Sequence, residues 1–597
     1  MNKSVSLINA VSSSAVQFTE IDYVIIISLM VISLAIGVSI AFFHNGGRTT
    51  DDFMFGSFKM KSIPVALSLL SSQLTPLVVL TMPVEIYSYG WQYTLFIPAL
   101  FLVMLALCYI FLPILYNNKL DNCYTYLDVR FGPLARNINI VAFTLNNLLY
   151  LPVIMYIPSL AFAELSHFDV HVVNAIVCYV CIVYTALGGL KAIISIGLIH
   201  ALILVASIVA IALLGVYHVG LAEIWTRSVV GGRIVPPDLS VNLTTRTTLW
   251  NLTVNTFLVW VAHVAFSQNM IQRIVSLPSL QDAKRTVVIF FVAVAVILFI
   301  NCGIGLTMYA YYYECDPVKS HILPNYDILL PHFVQSIASE ISGMSGLFVA
   351  ALFCASLSIV SPMLHSLSGI LYKDVIRPLK LFPDNDANAN LVMRLIIFVV
   401  GTYCALSSTM VEQFHSTFQI LNAITGMTTG AKIGVFTMGL FWPWTNINGL
   451  LTGTVFSMCV VFSLIANAQY HIATGALRHS TMPTSIDGCR NVNLTLVQAS
   501  PEAILFSDAD EEFAIHDISF HWYTLIGVIC VWLPGVSISY FTGGRDLSNF
   551  NFQLVSSWIH PFVPKNLLHT KLRVISVIND DEKNEPLIEC KHKILIK

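Results

Sequence analysis

The chain has 597 residues, of which 56% are hydrophobic and only 11% charged, with a mean hydropathy of +0.76 and a formal net charge of −3. That balance excludes a soluble globular domain, and with no basic patch interleaved with aromatics it excludes a nucleic-acid binder too. The sequence holds no spaced metal cluster, nucleophile elbow or phosphate loop, so it gives an enzyme nothing to stand on.

A helix crossing the hydrocarbon core needs ~20 apolar residues. Thirteen such stretches are expected, at 20–43, 62–88, 91–116, 137–165, 170–187, 191–216, 249–271, 287–313, 332–372, 393–411, 416–443, 447–467 and 521–541. The fold class is therefore all-α, a polytopic membrane protein. The first apolar run is too long for the core of a cleaved signal and reads as a span. With the N-terminus extracellular, fourteen Lys and Arg between Arg48 and Arg394 fall on inner loops. Seven fall outside (Lys3, Arg227, Arg233, Arg246, Lys319, Arg478 and Arg490). This bias satisfies the positive-inside rule and puts the C-terminus in the cytoplasm of a plasma-membrane protein. The sequons at Asn242 and Asn493 then lie in the outer loops at 217–248 and 468–520. Most cysteines lie within spans, Cys178 and Cys181 among them, and read as buried packing. Cys315 and Cys489 sit in two separate outer loops, where the redox compartment allows a disulfide between them.

The second span carries Ser71, Ser72, Gln73 and Thr75 just before Pro76. Proline removes a backbone donor, so carbonyls are freed at mid-membrane. They either line a cavity or belong to a kink that neighbouring helices absorb. Further on, Gly188–Gly189 makes a tight turn between the fifth and sixth spans, with Lys191 beside it. The segment Gly346–Lys373 is long enough to span yet holds Ser356, Ser358, Ser361, Ser366 and Ser368. Ser358, Ser361 and Ser368 share one helix face, which suits close helix packing or oxygen ligands for a small hard cation. Lys432 lies in GMTTGAKIGVF, an ammonium within a span. It either snorkels toward Trp442 and Trp444, attracts a substrate carboxylate, or stands in for a bound cation. His365 would be a titratable partner across that site. His200, His263 and Gln73 are weaker candidates that helix-to-helix hydrogen bonds would explain. The tail at 542–597 has mixed charge and reads as a cytoplasmic segment, with a cytoplasmic partner as one candidate role.

In order along the chain, FGSFKMKSIPVALSLLSS, PVEIYSYG, YTALGGLKA, QRIVSLPSL and the serine-rich run into SLSGILYKD resemble the sodium/solute symporter family. Within it they resemble the multivitamin and monocarboxylate branch. The resemblance covers Phe55 to about Trp444. It implies a leucine-transporter-like fold of two inverted five-helix repeats, here 62–216 and 249–443, preceded by residues 1–61 and followed by two peripheral spans within 444–541. It further implies a sodium ion held by the carbonyls of Ser71 and Leu74 and the Ser358 hydroxyl. Gln73, Thr75, His263, Ser361, His365 and Lys432 are the substrate or coupling candidates. No cofactor is expected beyond sodium as the coupling ion. The partners are a small, anionic solute, sodium and the bilayer. Five positions depart from the family pattern. Ile359 stands where a second hydroxyl ligand is expected, Gly197 where an acid is common, Pro362 and His365 where small or polar residues are usual, and Lys432 where the family is apolar. The expected function is sodium-coupled symport of a small organic anion. A sodium-independent or proton-coupled carrier, or a transport-dead membrane sensor, is the alternative.

Overall fold

The computed structural model describes residues 18–43, 49–118, 120, 122–166, 168–338, 341–380, 383, 385–411, 417–474, 481–489, 517–543, 554–556 and 559. Asn493 and nearly all of the tail lie outside the described residues. Among the described residues the regular structure is helical throughout.

The chain opens with α1 (Glu20–Phe43) and a short α2 (Thr50–Phe55), then α3 (Ser62–Gln73) and α4 (Pro76–Tyr89), parted at Leu74–Thr75. Next come α5 (Phe96–Ala106), running through a π-turn into α6 (Leu112–Asn117), the short α7 (Cys123–Phe131) and α8 (Pro133–Ser166). The 50-residue α9 (Val170–Val219) leads to α10 (Leu221–Val230), then to α11 (Leu249–Val264) and α12 (Gln268–Val275), bent by 61° at their break. The second half holds α13 (Leu280–Tyr311), α14 (Leu329–Ala338), α15 (Met344–Ile370), α16 (Asp386–Val411), α17 (Thr417–Phe441), α18 (Ile447–Ala473) and α19 (Tyr523–Phe541).

Nine helices among the described residues are long and apolar enough to cross a bilayer, or up to eleven if each bent pair is one span. Each of the thirteen expected stretches carries a helix; the two counts differ because α9 merges two of them and α17 supplies another. Within α9, Gly189 breaks the helix with φ 59° and ψ −157°, as its glycine pair suggested. The stretch expected as one span over 332–372 is instead α14 and α15. Gly343, at φ 91°, precedes α15 in a conformation that side chains other than glycine resist. Two segments expected as inner loops also fold: α2 and α7 are helical because each starts from a side chain, Thr49 or Asn122, that accepts from a backbone N–H of the first turn; the span expected over 249–271 breaks, and its end continues as α12 to Val275.

The architecture is centred on α15, which is buried along nearly its whole length and packs against α1, α3, α8 and α9. A helix enclosed on every side belongs to the interior of a bundle. Asp22 at the start of α1 ties it down by accepting from the Gly346 N–H at 2.6 Å.

At the end of the bundle where α4 stops, three connecting segments are laced together. Cys315 and Cys489 are joined as a disulfide with Cα atoms 5.0 Å apart. Asp316 N–H donates to Ser485 O, Gly488 N–H to Glu314 O, and Met482 N–H to Ser88 O, each at 2.9 Å. The fully buried Arg233 guanidinium lies 4.0 Å from the centre of the Tyr309 ring and donates to the carbonyls of Tyr87 (2.8 Å), Gly231 (3.0 Å) and Pro483 (3.0 Å). Burial works against its charge, so its pKa is lowered, and the carbonyl fork supplies the compensation.

A Cβ added at Gly189 would stand 2.9 Å from the Phe53 ring and 3.0 Å from its carbonyl, in a backbone region that other residues avoid. Gly189→Ala is expected to cost at least roughly 1–3 kcal/mol and to lower the melting midpoint of the purified protein. Gly303→Ala, where a Cβ meets open space, is expected to leave the midpoint unchanged in the same scan.

Candidate functional site

Four prolines explain the polar interior. Each deprives the carbonyl four residues earlier of its helical donor, and an unanswered carbonyl in hydrocarbon costs several kcal/mol. Pro158 frees Ile154 O, and the Ser356 hydroxyl donates to it at 2.9 Å. Pro83 frees Val79 O, and Asn301 Nδ2 reaches it at 3.4 Å. Pro362 frees Ser358 O, and the Ser72 hydroxyl donates to it in a short bond. Pro76 frees Ser72 O. Beside it, the Val78 N–H donates to Thr75 Oγ1 at 3.2 Å, so it does not serve the Leu74 carbonyl.

Ser358 therefore faces the break between α3 and α4. Its hydroxyl lies 3.0 Å from His200 Nδ1, whose Nε2 lies 3.0 Å from the Ser33 hydroxyl. This chain of polar groups crosses from α1 through α9 to α15, and all three residues are buried. Below it sits Arg273 of α12, fully buried. Its guanidinium donates to Ser68 O at 2.8 Å, Ser72 Oγ at 2.9 Å and Ser68 Oγ at 3.2 Å. A fixed positive charge thus rests on the α3 backbone one turn before the break. Counting Arg273 as an inner-loop charge missed this. The signal was the hydrophobic company of QRIV, where an arginine must find internal acceptors.

Ser71, Leu74 and Ser358 are each buried, with Leu74 outside helical geometry at ψ 68°; the residue of this stretch that hydrogen-bonds to Ser358 is Ser72, while the Ser71 hydroxyl donates to Ser68 O at 3.0 Å. Gln73 is half-buried at the same break. Thr75 is occupied as the N-cap of α4. Ser361 turns away to hydrogen-bond with Tyr184, and Ser366 and Ser368 bond back to their own helix at 3.1 and 2.7 Å. His200 makes helix-to-helix hydrogen bonds, as expected of it, and one of its partners is Ser358. Two departures gain physical reasons. Gly197 is pressed on Ser68, so that any side chain would collide with the hydroxyl, and Ile359 is buried in the apolar core.

His365 and Lys432 do not face each other. His365 is fully buried, its ring centre 4.9 Å from that of Phe53 in α2, two turns along α15 from Ser358. Lys432, half-buried on α17, lies within electrostatic reach of Cys123 on α7 and His263 on α11. Seven residues of helix separate Ser358 from His365 by about 10 Å, which carries the imidazole to a different layer. Among the sequons, Asn242 is exposed.

A sequence model of the sodium:solute symporter family matches residues 53–456. The chain is 28% identical over 535 residues to sodium-coupled monocarboxylate transporter 2 of Danio rerio, covering 89% of this chain and 85% of that one. It is 28% identical over 542 residues to sodium-coupled monocarboxylate transporter 1 of Homo sapiens, covering 88% of each. It is 29% identical over 553 residues to the sodium-dependent multivitamin transporter of Oryctolagus cuniculus, covering 92% of this chain and 86% of that one. Among solved structures, a Na+-coupled sialic acid symporter in a substrate-bound outward-open state matches with a TM-score of 0.72 at 21% identity, covering 88% of this chain and 99% of that one. That likeness is one of fold.

Removing the Arg273 fork takes away the guanidinium contacts to Ser68 O, Ser68 Oγ and Ser72 Oγ and empties the space it fills in a buried site, although Ser68 O keeps the Ser71 and Ser72 hydroxyls. Arg273→Gln is expected to destabilise the protein by about 2–4 kcal/mol, seen as a lower melting midpoint. Arg285→Gln, at a side chain 72% exposed, is expected to leave it unchanged.

Proposed function

Because this chain belongs to the sodium:solute symporter family, we propose that it carries a small organic anion across the plasma membrane together with sodium, by alternating access between two inverted repeats near 62–216 and 249–443. The observation that carries the reading is Ser358 set against the break at Leu74–Thr75. The Ser358 carbonyl is held by the Ser72 hydroxyl, two residues before that break, and the reading takes the Ser358 hydroxyl with the carbonyls of Ser71 and Leu74 as the oxygen donors for a small hard cation. The anionic solute follows from the monocarboxylate and multivitamin relatives and from the absence of any carboxylate paired with Lys432 among the described residues. The reading includes the orientation derived from the Lys and Arg bias, with the tail after 542 in the cytoplasm. That tail remains a candidate for a cytoplasmic partner.

A sodium-independent carrier is the second reading. It is favoured by Ile359, which gives no oxygen, by Gly197, and by Arg273, whose charge already rests on the neighbouring backbone.

Uptake of labelled butyrate, lactate, biotin, pantothenate and iodide into cells expressing the full chain is expected to fall to background for the transported anion when choline replaces external sodium. Ser358→Ala is expected to raise the sodium concentration for half-maximal uptake at least about tenfold, the loss of one direct ligand being worth more than ~1.4 kcal/mol. Uptake indifferent to choline replacement would select the second reading. Unchanged sodium activation in Ser358→Ala would remove that hydroxyl from the site.

A further inference from the structure

A serine hydroxyl carries a proton as well as lone pairs, and a cation can approach its oxygen only on the side that the proton leaves free. The groups bonded to Ser358 decide which side that is. Among the described residues two side chains hydrogen-bond to it. The Ser72 hydroxyl takes its carbonyl, and Nδ1 of His200 lies 3.0 Å from its hydroxyl. The other serines of α15 serve carbonyls, Ser356 that of Ile154 and Ser366 and Ser368 those of their own helix. Ser358 differs in turning its hydroxyl to a ring nitrogen.

The direction of each bond can be followed outward from Arg273. A guanidinium only donates, so Ser72 Oγ accepts from it at 2.9 Å and gives its own proton to the Ser358 carbonyl. The Ser358 hydroxyl is left with His200. In a neutral imidazole one nitrogen donates and the other accepts, so two arrangements are open. With Nδ1 as acceptor, Ser358 gives its proton to the ring and keeps its lone pairs for the break, while Nε2–H donates to the Ser33 hydroxyl 3.0 Å away. With Nδ1–H as donor, the ring engages the Ser358 oxygen and the hydroxyl proton must turn elsewhere, against a cation. Which nitrogen carries the proton is set by the bond that the other one makes. Ser33, on α1 at the far side of the ring, thereby bears on the choice. Gly197, one turn earlier on α9, brings no acid to override it.

We propose that His200 is a positioning residue for the cation site: it accepts the Ser358 proton through Nδ1 and is held in that tautomer by Nε2–H donating to Ser33. The inference deepens the sodium reading of Ser358 and rests on it. Groups behind a ligand commonly fix its orientation in this way. A His200 that only ties α1, α9 and α15 together would do so in either tautomer, and sodium would be indifferent to Ser33. A positioning His200 makes sodium affinity depend on a serine that the ring separates from Ser358.

The test is scintillation-proximity binding of radiolabelled sodium to the purified full chain, which needs no transport, with melting midpoints taken in choline. His200→Asn and Ser33→Ala each remove one of the ring's two bonds, so both are expected to lower the midpoint. Sodium affinity is expected to separate them. Asn keeps an acceptor where Nδ1 stood, and His200→Asn stays within about twofold of wild type. Ser33→Ala leaves Nε2–H without its acceptor, which favours the other tautomer, and weakens sodium binding about threefold or more. His200→Leu offers Ser358 no acceptor and weakens it roughly three- to tenfold, the worth of one hydrogen bond. Sodium affinity unchanged in Ser33→Ala and His200→Leu, while Ser358→Ala weakens it, would overturn the inference and leave the sodium reading standing. Equal losses in His200→Asn and His200→Leu would overturn it as well. No saturable sodium binding to wild type, or wild-type affinity in Ser358→Ala, would overturn the sodium reading and the inference with it.

Discussion

A proline inside a membrane helix leaves the carbonyl four residues before it without a donor, and lipid offers no water to replace it. Much of this protein's polar interior answers that one constraint. Ser356 serves the carbonyl freed by Pro158, Asn301 the one freed by Pro83, and Ser72 the one freed by Pro362. The serines that look like a polar stripe in sequence are thus mostly partners for particular backbone groups. What stays open is the break at Leu74–Thr75, where Pro76 and the capping of the Val78 N–H by Thr75 release carbonyls. The sodium site proposed above lies at that remainder.

Two polar regions emerge, and one short helix touches both. Arg273 near the end of α12 grips α3 at Ser68 and Ser72, while Gln268 at its start holds Cys123 of α7, next to Lys432. Five residues of helix separate these contacts, about 7.5 Å along the axis. This one helix thus ties α3 to α7 by side-chain hydrogen bonds at its two ends.

Much of the fold is legible in the sequence, because apolar length, the Gly188–Gly189 pair and Pro76 each act locally, and because Cys315 and Cys489 fall in two loops that meet. Ser358 also appears from its own neighbourhood. Less legible are features that depend on what lies across the bundle. Arg273 reads as a loop charge until α3 is seen to cover it with acceptors, and the helix-to-helix hydrogen bonds expected of His200 have no named partners until Ser33 and Ser358 are placed on its two nitrogens. His365 and Lys432 seem poised to share a site because both are unusual for the family. The helices that carry them instead put one against Phe53 and the other between Cys123 and His263. Residue type suggests chemistry, but only packing says which groups meet.

The central claim is that Ser358 and the break at Leu74–Thr75 form one cation site. The most direct measurement is the rate at which a small thiol reagent modifies Ser358→Cys in membrane vesicles, followed by mass spectrometry of the α15 peptide, with sodium or choline as the salt. The account predicts that sodium slows modification, with half-protection at the sodium concentration that half-activates solute uptake in the same variant. A rate identical in sodium and choline would contradict it.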